Sequence, residues 1–326
     1  MAPRFNYIIT IHNKAELIDR VLMCTLMCAR DQSHIYLVLD GCTDDTEKII
    51  DELMTRYSNV PITKVFAPDV HEILSINIGL RAANQEGEGF NIILQDDVLL
   101  ADFLLEKKIS ALYEWGGPTL GYVSLRFGAN FAQDAATSNS TFPFIEYAEN
   151  AYAHYILNST MVMPGHFTYR QVPIKSPVCL PFKLVREIGL LEERLAPYVY
   201  DDQEYAIRCL SAGYRNGIFS IRFHSELEWG GTRKSGHGST IPMAERNMKL
   251  IREWHRDKLV ELAEKGETNE IFDIAGPISK VEGDAALHAW NTTYSALRRH
   301  NSGRARLLAR IRSIMKSIVG PHKRYF

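Results

Sequence analysis

The first hundred residues alternate between short apolar runs and longer stretches in which apolar residues return every three or four positions. Tyr7 to Ile11 is a β-rich run that stops at the polar pair His12-Asn13, and Lys14 to Cys28 then carries apolar residues at helical spacing. The unit recurs. Ile35 to Leu39 ends at Asp40-Gly41, and Thr43-Asp44-Asp45-Thr46 is a helix-start signal leading into Glu47 to Tyr57. Ile62 to Phe66 reads as a third strand, Glu72 to Asn84 as a third helix, and Phe90 to Leu94 as a fourth strand ending at Gln95-Asp96-Asp97. This alternation predicts a parallel α/β sheet flanked by helices. Ligands of such sheets lie beyond the carboxyl ends of the strands. Thr10, His12 and Asn13, then Asp40, then Asp96 and Asp97 therefore fall on loops that converge on one cleft.

The second half is less regular. A strand is expected at Tyr122 to Phe127, followed by an aromatic, Asn/Ser/Thr-rich stretch of loops and short strands to about Tyr169. Helices are expected at Phe182 to Gly189 and Asp201 to Ala212, a strand at Ile218 to Phe223, a charged helix at Ala244 to Lys265, and a linker at Gly266 to Gly283. From Leu297 to Phe326 there is no acid, and Leu307, Leu308, Ile311, Ile314, Met315, Ile318 and Val319 repeat at helical spacing among arginines and lysines. Such a basic amphipathic helix suits an anionic membrane surface, or packs on its own domain with its arginines in water. The expected organisation is one domain over 1–265, with halves 1–120 and 121–265, and a C-terminal extension over 266–326.

Composition narrows the classes. A chain of 326 residues, 46% hydrophobic, buries a substantial core. Its net charge of -2, with both signs interspersed, points to no nucleic-acid partner. Five cysteines, an odd number in a chain this large, fit a reducing compartment. Cys24 and Cys28 share a helix face within an apolar run and read as buried thiols. The opening apolar stretch is too short for a signal peptide, and no run approaches the roughly 20 apolar residues of a membrane span. A cytoplasmic protein, peripheral on the inner face of the membrane through residues 297–326, is the expectation; the sequons at Asn139, Asn158 and Asn291 are then coincidental.

Five segments in order resemble glycosyltransferase family 2, over roughly residues 5–260. IITIHNKAE is similar to the family's first strand and polar loop, LVLDGCTDDT to its Asp-Gly-Ser-Thr-Asp loop with Cys42 for the serine, and Asn77-Ile78-Gly79-Leu80 to its Asn-x-Gly-Leu helix. ILQDDV stands where the family has its metal-binding acids, and YVYDDQEYAIRCLSAGY resembles its acidic base motif and following helix. The resemblance implies a GT-A fold, a mixed but mainly parallel sheet flanked by helices, and inverting transfer from a nucleoside-diphosphate sugar (UDP, dTDP or GDP) to a glycan or lipid-linked hydroxyl. Surface polysaccharide or glycoconjugate synthesis is the implied setting.

By that resemblance Asp97 holds Mn²⁺ or Mg²⁺, Asp96 faces the ribose or sugar, and Asp40, with Thr10, His12, Asn13 and Asn77, binds the nucleotide. An arginine often precedes the asparagine in the family; here Ile76 does, so one diphosphate contact is lost or supplied elsewhere. Asp202 is the expected general base, with Asp201 and Glu204 flanking it toward sugar or acceptor. Acids in a first helical turn also stabilise the helix with no chemistry at all, and acid pairs in strand-ending turns are common. HSELEWGGTRKSG resembles a loop that closes over the donor, with His224 a further metal ligand, Arg233 and Lys234 on the diphosphate, and Trp229 stacking on sugar. Two other readings compete: a sugar nucleotidyltransferase, which would need a glycine-rich phosphate loop where IITIHNKAE has no glycine, and a non-catalytic carbohydrate-binding or membrane scaffold, which has no reason to retain acids at 40, 97 and 202.

Overall fold

In a computed structural model, residues 2–30, 32–57, 60–126, 162–225, 241–265 and 270–278 are described, with the backbone alone at 224–225, 241 and 263–264. The apolar runs form the strands they predict. β1 (Arg4–Ile11), β2 (Ser33–Asp40), β3 (Ile62–Ala67) and β4 (Gly89–Gln95) build a parallel block in the order β4-β1-β2-β3. β1 and β2 are buried almost throughout, which is why they read as apolar runs and not as alternating strands. The connecting helices are α1 (Ile18–Cys28), α2 (Thr46–Arg56) and α3 (His71–Ala82). α3 presses Ile73, Ile76 and Leu80 into the core. Gly79 permits its approach: a Cβ there would sit 2.5 Å from Ile8 Cγ2 and 2.8 Å from Val38 Cγ2. The thiols of Cys24 and Cys28 are buried in α1.

After β4 the chain makes β5 (Val98–Leu100) and α4 (Leu105–Gly116), two elements with no counterpart in the sequence reading, then β6 (Leu120–Ser124). β7 (His166–Tyr169), β8 (Val178–Pro181), α5 (Phe182–Ile188), α6 (Asp201–Ser211), β9 (Arg215–Phe219), β10 (Phe223–Ser225), α7 (Ile241–Lys265) and β11 (Phe272–Asp273) complete the described elements. β8 joins the parallel block to β6 and runs antiparallel to both neighbours. β6 and β9 are parallel; β7 and β11 extend the sheet antiparallel at its far edge. The sheet thus runs β11-β7-β9-β6-β8-β4-β1-β2-β3.

Two expectations change. The strand expected at Ile218 to Phe223 is split: β9 ends at Phe219, and β10 leaves the main sheet to pair antiparallel with β5. The break is fixed where Ala101 N–H donates to Arg222 O (2.9 Å) and Arg222 N–H to Asp102 Oδ2 (3.2 Å). Residues 270–278, expected as linker, instead supply β11 and the buried Ala275. All described residues belong to a unit ending at Val281, and the basic segment 297–326 lies outside them. Among the described residues no helix is long and apolar enough to cross a membrane.

Candidate active site

The carboxyl ends of β1, β2 and β4 meet through hydrogen bonds. His12 N–H donates to Asp96 Oδ2 (2.9 Å), joining the β1 and β4 loops. The His12 ring joins β1 to β2: Nδ1 donates to the Asp40 carbonyl (2.6 Å), which leaves Nε2 to accept from Asn13 Nδ2 (3.1 Å). Asn13, at φ 48°, accepts from Thr43 N–H through Oδ1 (2.8 Å). Thr10 lies two residues before His12, within β1, buried and in register with Gln95 and Val38. The structure therefore brings Thr10, His12, Asn13, Asp40 and Asp96 to one end of the sheet.

Asp40 is already engaged. Its Oδ1 accepts from Val70 N–H (2.7 Å) and its Oδ2 from His71 N–H (2.8 Å), so the carboxylate satisfies donors at the start of α3. Gly41, at φ 58°, is required beside it, because a Cβ would lie 2.6 Å from Asp69 Cβ. Each Asp40 oxygen keeps a second lone pair. Among the described residues, the triple with ligating atoms within 4.8 Å of one another is His12, Asp40 and Asp69. Of these, His12 and Asp40 are already engaged in the loop's own hydrogen bonds.

Asp96 and Asp97 occupy the turn between β4 and β5, both with little exposure. Burial, against the pull of the Lys14 ammonium 3.1 Å from Oδ1, raises Asp96 to about 6. Two adjacent carboxylates supply the oxygen donors that a hard divalent cation takes. Register places residue 224 of β10 opposite Leu99, two positions beyond Asp97.

The second acid pair stands at the start of α6. Asp201 and Asp202 are 1% and 5% exposed. Val199 (φ 84°) and Tyr200 (φ 66°) turn the chain into them through left-handed conformations that cost about 1–3 kcal/mol each. Surrounding groups hold that turn. Asn247 Nδ2 on α7 donates to the carbonyls of Leu195 (2.9 Å) and Val199 (2.8 Å), Arg246 Nη2 to Ala196 O (2.7 Å), and Ile73 N–H of α3 to Pro197 O (3.2 Å). Asp202 accepts from Gln203 N–H (2.9 Å) and Lys175 N–H (3.2 Å). The Lys175 ammonium contacts Asp201 and lies 3.3 Å from Glu72 Oε1. Burial, then the charge of Asp201, raises Asp202 to about 7 despite the helix N-terminus.

Two expected site residues are placed elsewhere. Asn77 is fully buried, and its amide holds the turn before α6: Nδ2 donates to Leu191 O (2.9 Å) and Glu193 Oε1 (3.1 Å), and Oδ1 accepts from Leu191 N–H (3.0 Å). It is a structural brace, not a nucleotide contact. Glu204, 2% exposed, pairs with Arg208 Nε (2.9 Å) and His255 Nε2 (3.0 Å), so its carboxylate ties α6 to α7. Ile76 is core, so no diphosphate contact comes from that position. Trp229, Arg233 and Lys234 lie outside the described residues, as does the side chain of His224. The motifs do not single out Lys14, which lies in the first polar loop, or Lys175, which lies in none of them; each acquires its contacts only through partners distant in sequence.

The profile of glycosyltransferase-like family 2 matches residues 3–220. No curated protein matches the chain by sequence. Among solved structures, the mannosyltransferase PcManGT from Pyrobaculum calidifontis in complex with GDP-Man and Mn²⁺ is similar at 16% identity and TM-score 0.48, over 97% of this chain and 88% of that one. S. aureus TarS 1-349 is similar at 14% identity and TM-score 0.44, over 68% of this chain. In complex with UDP it gives 15% identity and TM-score 0.44, over 67% of this chain and 58% of that one. The chain thus spans 60% of the TarS 1-349 length. The mixed sheet with its parallel block is a GT-A architecture. With a match running from β1 through both acid pairs to the Ser220 that follows β9, the chain belongs to glycosyltransferase-like family 2.

Proposed function

We propose that the chain is an inverting, metal-dependent glycosyltransferase moving a sugar from a nucleoside diphosphate to a glycan or lipid-linked hydroxyl. The observation that carries it is Asp202: a buried carboxylate at the start of α6, beside a second, salt-bridged acid, that burial and that neighbour's charge raise well above an ordinary carboxylate. A general base works best with its pKa near the operating pH. Asp202 takes the proton of the acceptor hydroxyl as that oxygen bonds to the anomeric carbon, and the bond from that carbon to the diphosphate breaks. The nucleoside diphosphate leaves with the electron pair. Asp201 stays paired with Lys175 throughout.

On the donor side, His12, Asn13 and the second lone pairs of Asp40 grip the base, and Asp96 faces ribose or sugar. Asp97, with His224, would hold Mn²⁺ or Mg²⁺, which when bound offsets the diphosphate charge. Arg233 and Trp229 would add diphosphate and sugar contacts. The basic segment 297–326 would bring the enzyme to an anionic surface carrying lipid-linked acceptors; its removal should lower partition onto anionic vesicles, and unchanged partition counts against that role.

The donor class is tested by thermal melts with UDP, GDP, dTDP and CDP, each with and without Mn²⁺, because a ligand of the native state raises the melting temperature. One nucleotide should stabilise only with metal. Stabilisation by none of them would favour the scaffold reading.

A further inference from the structure

Lys175 sits where three parts of the protein meet. It lies between Pro173 and Pro177, ahead of β8, in a segment with no helical or strand pattern. Its ammonium is 11% exposed and lies between Asp201, at the start of α6, and Glu72, in the first turn of α3. Glu72 in turn accepts from Gln95 Nε2 (2.5 Å), the last residue of β4 and the neighbour of Asp96. Lys175 also donates its main-chain N–H to Asp202 Oδ2. The run from Gln95 through Glu72 and Lys175 to Asp201 and Asp202 is therefore continuous, and it contains one cation for three carboxylates.

We propose that Lys175 is a positioning residue for the base: its ammonium keeps Asp201 ionised and its N–H fixes Asp202, leaving Asp202 as the member of the pair that takes the acceptor's proton. This rests on the glycosyltransferase reading and deepens it. Two adjacent buried carboxylates repel, and the pair loses its last proton only at raised pH unless a cation compensates. Among the described residues, the other charged or titratable groups acting on the pair are Tyr122 on β6, which feels both acids, and Glu72 on α3, which acts on Asp201, with Arg126 beyond β6 acting on Tyr122. Arg126 Nη1 donates to the Ser176 carbonyl (3.2 Å).

The test is the pH profile of kcat for hydrolysis of the sugar nucleotide whose diphosphate stabilises the protein, in the full-length chain with metal. Lys175→Met keeps the main-chain bond and removes the charge. Its acidic limb should move to higher pH by about 1 unit or more. Glu72→Gln removes an anion from the same ammonium and should move the limb the other way, by less. Lys175→Arg should return the limb toward wild type. A purely structural lysine would lower kcat at every pH and leave the limb in place, and that result overturns the proposal. If Lys175→Met does not fold, the downward shift in Glu72→Gln decides alone; an unmoved limb there overturns it. Asp202→Asn separates the two levels. Wild-type hydrolysis in Asp202→Asn sinks the base assignment itself, whereas a dead Asp202→Asn with unmoved limbs in the other variants sinks only the role of Lys175.

Discussion

Two of the protein's Asp-Asp pairs, Asp96-Asp97 and Asp201-Asp202, have a lysine against their first acid, and they differ in what surrounds them. Asp96-Asp97 sits in a turn at the mouth of the sheet, with Lys14 against an acid that is 15% exposed. Asp201-Asp202 sits at a helix start, nearly dry, with Lys175 shared with Glu72. Both are raised above ordinary carboxylates, Asp96 to about 6 and Asp202 to about 7. At Asp202 the helix N-terminus favours an anion by well under the several kcal/mol that burial can withdraw, and at Asp96 burial outweighs Lys14, so burial decides the sign at both sites. A turn at the mouth of the sheet suits a group that must admit a cation and a diphosphate; a drier, clamped turn suits one that must hold a proton.

The sharpest way to break that comparison is to exchange the defects. Asp202→Asn should reduce transfer by about 10²–10⁴-fold, the usual worth of a general base, with nucleotide stabilisation intact. Asp97→Ala should do the converse at the binding level and abolish the Mn²⁺-dependent rise in melting temperature with the nucleotide. Melting curves and a transfer assay on both variants check it. If Asp202→Asn also lost nucleotide stabilisation, the two pairs would be one site.

The two pairs were also unequally legible. β1, β2 and β4 are buried parallel strands, so their apolar runs stop abruptly at polar residues and the cleft could be read from the chain. Asp202 could be located by motif and its role taken from the resemblance, but its setting could not be read: Val199 and Tyr200 in left-handed conformations, and Asn247 holding them from about fifty residues away, leave no local signal. Asn77 and Glu204 show the opposite failure. Both lie in motifs beside genuine cleft loops, yet each uses its polar atoms internally, and a single sequence does not distinguish a side chain that braces a site from one that lines it. β11, two residues long, is below the length at which periodicity exists.

A smaller effect sharpens the contrast between the pairs through stability. Each raised acid binds its proton more tightly in the folded protein than in the unfolded chain, so unfolding releases protons between the two pKa values. Stability from this source is full below about pH 4 and is lost as pH rises through the folded pKa, about 6 for Asp96 and about 7 for Asp202. Replacing either acid by asparagine removes that loss, at the cost of hydrogen bonds that are the same at every pH. The melting temperature of Asp202→Asn relative to wild type should therefore improve from pH 5 to pH 8. Asp96→Asn should improve less, because its window closes about a unit earlier and Lys14 is left without that carboxylate. Melts at the two pH values give both slopes. Equal slopes, or a steeper one for Asp96→Asn, would mean that the helix-start pair is no drier than the pair in the turn, and the division of labour drawn from their surroundings would fall with it.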